Sequence, residues 1–179
     1  MIKDLVYYND QRLRQRCKSV EKVDDDVRKV VQDLIDSVVY YNGAGLAAPQ
    51  IGCLIRVFVI CVEHTVEADG SSIICPPKVF INPEISNTSE ERVVYPEGCL
   101  SIPGLVEDVE RVKKFTIKAL DLNGNSFEES VDLWRARVIL HEFDHLEGKL
   151  FIDRLDPGVQ QRLKEPMNEI DQTFNKKTH

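Results

Sequence analysis

The chain has 179 residues, of which 42% are hydrophobic and 30% charged, and its formal net charge is −7 at pH 7. These values are typical of a soluble globular protein and predict a single domain over residues 1–179. The acidic balance argues against non-specific nucleic-acid binding, which requires basic patches. The most apolar run, residues 54–62, is short and contains Arg56, so no transmembrane segment is expected.

The five cysteines are odd in number and irregularly spaced, which does not indicate a disulfide framework. A reducing compartment is therefore expected. Residues 1–4 have neither the apolar core of a signal peptide nor the Arg- and Ser-rich character of a transit peptide. This favours a cytoplasmic location over an organellar one.

Two long helices are predicted from apolar residues that recur at intervals of three and four. Three aspartates stand at the start of the first helix, which is predicted at residues 24–41. Asp132 is expected to cap the second, at about residues 132–147, with Gly148 beyond its end. Apolar residues surround much of the second helix, so it is expected to lie at the centre of the molecule.

Strands are predicted where β-branched and aromatic residues dominate, and an Asn-Gly turn joins two of them into a hairpin. Residues 97–104 are predicted to be irregular. Residues 63–77 are predicted to form an exposed polar loop with a turn around Gly70. A last helix should begin near Pro157 and be kinked or broken by Pro166. The predicted strands cover residues 54–62, 78–83, 92–95, 115–120, 126–131 and 151–153.

The second helix carries the sequence HEFDH at residues 141–145. His141 and His145 are four residues apart and share one helix face, so both imidazoles could bind one metal ion. Glu142 lies beside the first histidine, where it could act as general base on a metal-bound water. The predicted fold is therefore α+β, with antiparallel strands packed around a central metal-binding helix and with N-terminal and C-terminal helices.

A catalytic metal site needs a third protein ligand and one open position for water. The candidates are His64 in the exposed polar loop, a glutamate downstream of the motif, and Cys99. We favour Cys99 because it follows a glycine in the segment predicted to be irregular, and because a thiolate beside a metal is a strong ligand.

The sequence GAGLAAPQ at residues 43–50 carries only small side chains at most of its positions. It could be a loop whose glycines allow unusual backbone angles, or a wall where backbone closely approaches a ligand. Taken alone, the first interpretation is favoured. A phosphate loop is excluded because no Lys-Ser or Lys-Thr follows the glycines.

Three motifs together resemble the signatures of the peptide deformylase family: GAGLAAPQ at residues 43–50, EGCLS at 97–101 and HEFDH at 141–145. Each motif alone is only moderately specific, but the resemblance covers essentially the whole chain. It implies one catalytic domain that removes the formyl group from the N-terminal methionine of new polypeptides and releases formate. The partners would be formylated nascent chains, with a transient ribosome contact, and the protein would be a monomer.

The resemblance also implies the roles of individual residues. Glu142 would act as general base and acid, while Gln50 and the backbone N–H of Leu100 would stabilise the oxyanion. The cofactor would be one divalent ion, Fe(II) in most of the family, with Zn, Ni or Co as alternatives. The metal ligands that the resemblance implies are Cys99, His141 and His145.

For the substrate, the resemblance implies a peptide bound as an added strand along the glycine-rich segment, where small side chains let it come close. Our own hypothesis is that a tight wall of Gly98, Leu100 and the glycine-rich segment admits a formyl group and excludes a peptide carbonyl. The methionine pocket would be lined by Val138, one turn before the first histidine, with Ala44 and Trp134 as further candidates. The implied substrate-binding residues are Ala44, Gly45, Leu46, Gly98 and Val138.

The chain departs from the family pattern at two positions near the site. Leu140 precedes the first histidine where a glutamine is usual, which removes a polar contact. Val106 stands where an arginine often helps to hold the substrate chain, which predicts weaker binding of longer peptides. Nearby, Glu97 and Arg111 either brace the metal-binding segment or form a surface pair of little energetic value.

Three alternative functions accompany this prediction. The histidines could hold a structural metal, although such a site usually has four protein ligands and no adjacent glutamate. The chain could be an inactive relative that serves as a binding module, which the two departures leave open. It could also be a peptidase that uses the same helix, in which case it would cleave unformylated peptides.

Overall fold

The computed structural model describes residues 1–62, 64–66, 72–74 and 77–174. The turn predicted around Gly70 lies outside these residues. No helix in the described ranges has the length and apolar character that crossing a membrane requires. The helices are α1 (Asp25–Tyr40), α2 (Leu133–Leu146), α3 (Pro157–Arg162) and α4 (Lys164–Phe174). The strands are β1 (Gly45–Ala47), β2 (Val57–Ile60), β3 (His64–Val66), β4 (Ser72–Ile74), β5 (Lys78–Ser86), β6 (Arg92–Cys99), β7 (Ile102–Val112), β8 (Lys114–Leu120) and β9 (Ser126–Asp132).

The main sheet has five antiparallel strands in the order β1-β2-β5-β8-β9. The predicted hairpin with the Asn-Gly turn is confirmed as β8 and β9, which pair from Lys114 opposite Asp132 to Leu120 opposite Ser126. β1 is the terminal strand of the sheet, so one of its backbone edges pairs with no described strand.

The two long helices pack on opposite faces of this sheet, as β2 shows. All four β2 residues are buried, and successive side chains of a strand point to opposite faces. Phe58 belongs to the core cluster that includes Ile139 of α2, whereas Val57 belongs to the cluster that includes Leu34 of α1. The predicted α+β fold with a central second helix is confirmed.

The start of α1 is fixed by the aspartates that the sequence places there. Asp24 is the N-cap, and its Oδ1 accepts a hydrogen bond from the Val27 N–H at 3.0 Å. Asp25 and Asp26 occupy the first turn, where negative charge is stabilised by the helix dipole. The observed helix therefore agrees with the predicted residues 24–41 to within one residue at each end.

The prediction that residues 97–104 are irregular is wrong. β6 and β7 form a separate two-stranded hairpin whose pairing continues to Cys99 opposite Ile102, with a register shift after Gly98. These segments contain prolines and glycines, which are uncommon in strands, so the sequence pattern does not predict them as strands. A strand with an unpaired edge tolerates a residue such as Pro96, because the missing N–H can lie on the unpaired side.

The prediction of a strand at residues 151–153 is also wrong, because this segment is a 3-10 helix, Phe151–Arg154. The Asp153 carboxylate accepts a hydrogen bond from the backbone N–H of Leu150 at 2.8 Å. Such a local bond between a side chain and the backbone closes a turn and competes with extended structure.

Asp132 stands immediately before α2, as predicted, but its side chain makes no capping hydrogen bond. The backbone N–H of Leu133 instead donates to the Lys113 carbonyl at 3.0 Å. The helix start is therefore tied to the neighbouring strand by backbone rather than by a side-chain cap.

The C-terminal segment is two helices, α3 and α4, and the predicted kink at Pro166 is wrong. The break falls at Leu163, whose side chain is buried in the core. Pro166 lies in the first turn of α4. Backbone N–H groups there lack intrahelical partners in any case, so proline is tolerated at that point.

Candidate metal centre and substrate groove

The two histidines of the HEFDH motif lie on one face of α2, with their ring centroids 5.1 Å apart. His145 is 1% exposed, whereas the side chain of His141 is 11% exposed. His141 Nδ1 lies 3.1 Å from the carboxylate of Glu97. A carboxylate partner selects the tautomer with hydrogen on Nδ1, which leaves the Nε2 lone pair for a metal ion.

Cys99, at the end of β6, completes a three-ligand group. Its Sγ lies 3.3 Å from Nε2 of His145, and the ligand atoms of Cys99, His141 and His145 all lie within 4.8 Å of one another. A tetrahedral ion with bonds of about 2.0–2.3 Å separates its ligand atoms by roughly 3.5 Å. The donor set therefore fits a divalent ion, and three protein ligands leave one position open.

Glu142 is buried beside this group. It is 3% exposed, and its Oε2 has no hydrogen-bond partner among the described residues. Burial raises its pKa to about 7, and the charge of Glu97 acts in the same direction, whereas that of His141 opposes it. A buried carboxylate oxygen without a partner beside a metal centre is available to a water molecule.

Gly45 determines where the Glu142 carboxylate can lie. A β-carbon placed on Gly45 would be 2.6 Å from Oε1, 2.8 Å from Cγ and 2.9 Å from Cδ of Glu142. A glycine is therefore required at this position if the Glu142 carboxylate is to keep its place. The sequence analysis favoured a loop beside a tightly packed segment at residues 43–50. In the structure, β1 is tightly packed and also forms one wall of the site.

Gln50 lies next to the metal ligands with its amide held in one orientation. Its Oε1 accepts a hydrogen bond from the Ala47 N–H at 2.8 Å, so its Nε2 must face the opposite way. Nε2 donates to the Ser101 hydroxyl at 3.2 Å and lies 3.6 Å from Cys99 Sγ. Ser101 is fully buried and was not identified from the sequence.

Two of the metal ligands, Cys99 and His141, line a groove of about 540 Å³. Ala44, Gly45, Gly98 and Val138, all predicted to bind substrate, line this groove together with Leu100. The side chain of Leu46 does not line it. That side chain is fully buried in the core that α1 covers, so only the Leu46 backbone could serve a ligand.

A buried network of charged groups supports the metal ligands. Both Glu97 and Arg111 are buried, at 6% and 5% exposed, which excludes the surface-pair interpretation. The Arg111 guanidinium donates two hydrogen bonds of 2.9 Å to Glu97 and one to Asp144, which lies next to His145. Burial alone would raise the pKa of Glu97, but the hydrogen bonds from Arg111 and His141 outweigh it and lower the pKa to about 2.

Arg137, on α2 one turn before His141, also belongs to this network and was missed by the sequence analysis. It is 2% exposed, and it donates to Glu97 at 2.6 Å. Its other bonds go to the carbonyls of β6 and β7: those of Val93 at 2.9 Å, Tyr95 at 3.3 Å and Val109 at 2.9 Å. Arg137 thus joins the helix that carries the histidines to the hairpin that carries the cysteine.

Replacing Arg137 by Met is expected to raise the dissociation constant for the metal about 10- to 100-fold, as other changes in the shell around metal ligands do. The carbonyls and Glu97 would lose their donor, and Cys99 would be held less firmly against the histidines. Competition with a chelator would measure the constant. Arg135→Met is the control, because Arg135 is on the same helix and pairs with Glu129 away from the ligands. Equal metal affinities for both variants would contradict this role.

Comparison with known proteins decides the family. The family model described as polypeptide deformylase matches residues 2–161. The chain belongs to the peptide deformylase family. Peptide deformylase of Pseudothermotoga lettingae is 41% identical over 170 residues, which cover 95% of this chain and 92% of that protein. Peptide deformylase 1 of Clostridium perfringens is 44% identical over 152 residues, which cover 85% and 97%. The crystal structure of peptide deformylase from Ehrlichia chaffeensis gives a TM-score of 0.86 at 31% identity and covers 98% of both chains.

This deformylase-family chain is therefore a hydrolase with a Cys-His-His site for a divalent metal. The two residues expected to depart from the family pattern, Leu140 and Val106, differ in how deeply they are buried. Leu140 is partly buried and packs against the core beneath α2. Val106 is 61% exposed and lines the groove. Neither residue belongs to the three-ligand group.

Proposed function

We propose that this chain removes the formyl group from the N-terminal methionine of newly made polypeptides. The observation that supports this most strongly is that a three-ligand metal group, which includes His145, adjoins a groove lined by Cys99, His141, Glu142 and Gln50. Residues 1–179 would act as one catalytic domain. It would be a cytoplasmic monomer that meets formylated nascent chains during a transient contact with the ribosome.

Cys99, His141 and His145 would hold one divalent ion, for which we propose Fe(II), with Zn, Ni or Co able to replace it. When bound, the ion supplies Lewis acidity, which makes a water molecule more acidic and polarises the formyl carbonyl. The network of Glu97 and Arg111 would keep the ligands in place during turnover.

Glu142 would move the proton in both halves of the reaction. Its buried carboxylate would accept a proton from the water that attacks the formyl carbon. It would then donate that proton to the methionine nitrogen as the C–N bond breaks. Formate and a free amino group would be the products.

Gln50 Nε2 and the Leu100 backbone N–H would stabilise the negative charge that develops on the formyl oxygen. Gln50 suits this role because Ala47 and Ser101 fix the direction of its amide before any substrate binds. A donor that is already oriented costs no reorganisation during the reaction, and one such donor typically contributes about 3 kcal/mol.

The substrate backbone would lie along the free edge of β1, which pairs with no described strand on that side. Ala44, Gly45 and Leu46 would offer backbone groups, as in other complexes where a peptide adds a strand to a sheet. The methionine side chain would enter between Val138 and Gly98, both of which line the groove.

The enzyme would not hydrolyse ordinary peptide bonds, because the groove would be too narrow for them beside the glycines at positions 43 and 98. A β-carbon on Gly43 would lie 2.9 Å from Leu100 Cδ1, and one on Gly98 would lie 3.3 Å from Val106 Cγ2. We infer from these contacts that little room would remain beside the reacting carbon. A formyl group carries only hydrogen there, whereas a peptide carbonyl carries a bulky Cα.

The test is formate release from formyl-Met-Ala-Ser by protein prepared without oxygen and loaded separately with Fe(II), Ni(II) or Zn(II). We expect formate in stoichiometric amounts with an intact Met-Ala-Ser product, identified by mass spectrometry. The acetylated and unformylated peptides serve as controls and should remain uncleaved. Cleavage within the unformylated peptide would indicate a peptidase, and no reaction with any ion would indicate a binding module.

A further inference from the structure

A basic run at residues 11–20 locally reverses the acidic balance of the chain. The run contains four of the 23 Lys and Arg residues and none of the 30 Asp and Glu residues. Because the whole chain carries a net charge of −7, the residues outside the run together carry −11. Nothing in the proposed mechanism uses this run, which precedes α1.

The fold attaches this run to the C-terminal end of α2. The backbone N–H of Cys17 donates to the Leu146 carbonyl at 2.9 Å. A β-carbon placed on Gly148 would lie 2.7 Å from the carbonyl oxygen of Arg14, so the two segments pack closely. This packing brings Lys149, the residue after Gly148, next to the run.

Four cations share this part of the surface, and we call them the basic strip. Its two lysines are exposed, and the Arg16 side chain is 75% exposed. Cys17 is only 5% exposed, so the cationic side chains on either side of it point outwards. The basic strip consists of Arg14, Arg16, Lys18 and Lys149.

The acidic side chains around the basic strip are too few to neutralise it. Glu147 pairs with Arg16 at 3.0 Å and also with Arg56 at 2.5 Å, so one carboxylate serves two guanidinium groups. Arg14 pairs with Asp153 at 2.5 Å. Neither lysine of the strip forms an ion pair with an acidic residue in the part of the chain that the structure describes. The ion pairs explain how the arginines fasten the run to α2, but they leave an excess of positive charge.

The composition of the run favours a nucleic acid over a membrane surface as the ligand. Its apolar residues, Leu13, Cys17 and Val20, are all buried. Peripheral binding to a bilayer inserts apolar side chains beside the basic ones, and this run presents none on its exposed side. RNA presents phosphates at regular intervals, and guanidinium and ammonium groups bind them without apolar contacts. Such binding requires only a local basic patch, even on an acidic protein.

We propose that the basic strip binds the phosphate backbone of RNA. None of its four residues lines the substrate groove in the described structure, so bound RNA would leave the groove open to a peptide. The acidic remainder of the chain would repel RNA, so the strip would be the face that approaches it. The strip would thereby provide the ribosome contact included in the proposed function, and this use of it rests on that function.

The test measures binding of the metal-loaded enzyme to a fluorescein-labelled RNA duplex of about 16 base pairs by fluorescence anisotropy. With four phosphate contacts, a plot of the logarithm of the association constant against that of the salt concentration should have a slope of about −3.6. The double variant Lys18→Gln and Lys149→Gln should reduce the magnitude of this slope by about 2 and weaken binding by about tenfold or more. Its kcat on formyl-Met-Ala-Ser should equal that of the wild type, because neither lysine lines the groove among the described residues.

The matched control is the double variant Arg28→Gln and Lys29→Gln, which removes the same charge from exposed positions of α1. It should bind the duplex as the wild type does. Absence of salt-dependent binding to the duplex would overturn the proposal, as would equal weakening by the two double variants.

Two further polyanions separate RNA from the other ligand classes. Poly-glutamate should compete poorly with the duplex, and vesicles of phosphatidylcholine and phosphatidylserine should not bind the enzyme. Tighter binding of either one would overturn the proposal in favour of an acidic protein or a membrane. RNA binding without formate release would refute the proposed function and support the strip, whereas formate release without RNA binding would overturn this inference alone.

Discussion

Replacing Glu142 by Gln is expected to lower formate release by about 10³-fold or more while the protein still binds one metal ion. The amide has nearly the same shape as the carboxylate, so packing against Gly45 should be preserved. It can neither accept the proton of the attacking water nor return it to the leaving nitrogen. Both halves of the proposed reaction would therefore be impaired, and the loss should appear in kcat.

Glu128→Gln is the matched control, because Glu128 is an exposed carboxylate on β9. It should leave kcat, metal content and the unfolding midpoint unchanged. If Glu142→Gln binds the metal normally and keeps more than about a tenth of the wild-type kcat, proton transfer by this residue would be excluded.

Replacing Gly45 by Ala is expected to lower kcat about 100-fold or more, which is the loss that misplacement of a catalytic group by about 1 Å can cause. The added methyl would lie 2.6 Å from Glu142 Oε1, closer than any normal contact. The carboxylate must then move away from its place beside the ligands. The metal content should not change, because the three atoms nearest to the added methyl all belong to Glu142, which is not one of the three ligands.

Gly158→Ala separates this effect from a general consequence of removing a glycine. A β-carbon at Gly158 would meet no atom within 4 Å, and this residue lies in α3, away from the groove. The variant should be as active as the wild type. A fully active Gly45→Ala enzyme would mean that Glu142 can shift without consequence, contrary to the proposed role.

The sequence was most informative where one local rule determined the structure. The spacing of apolar residues and the three aspartates predicted α1 to within one residue at each end. The Asn-Gly turn predicted the β8-β9 hairpin, and the four-residue spacing placed His141 and His145 on one face of α2. These features depend on residues that are close together in the chain.

The features that were missed depend on contacts between distant segments. No local pattern shows that Arg137 reaches the carbonyls of Val93 and Val109, because those partners are 44 and 28 residues away. The same holds for Asp144, which accepts a hydrogen bond from Arg111, 33 residues before it. A charged residue on an otherwise apolar helix face, at helical spacing from His141, was the available signal for Arg137.

The hairpin of β6 and β7 was missed for a different reason. Its strands are only partly buried and carry prolines and glycines, so neither the alternation of apolar residues nor the composition marks them. What stabilises the hairpin is its pairing together with the buried ion pairs of Glu97 and Arg111 with α2. The ion pairs of Glu97 with Arg137 and of Arg111 with Asp144 form only once the fold brings the hairpin and α2 together.

The central claim is that one ion held by Cys99, His141 and His145 is required for deformylation. The most direct measurement is formate release from formyl-Met-Ala-Ser during titration of metal-free protein with Fe(II) in the absence of oxygen. We predict that the rate rises linearly and stops rising at one equivalent of metal per chain, and that Cys99→Ala protein shows no such rise. A rate that is independent of added metal, or a Cys99→Ala protein as active as the wild type, would contradict the claim.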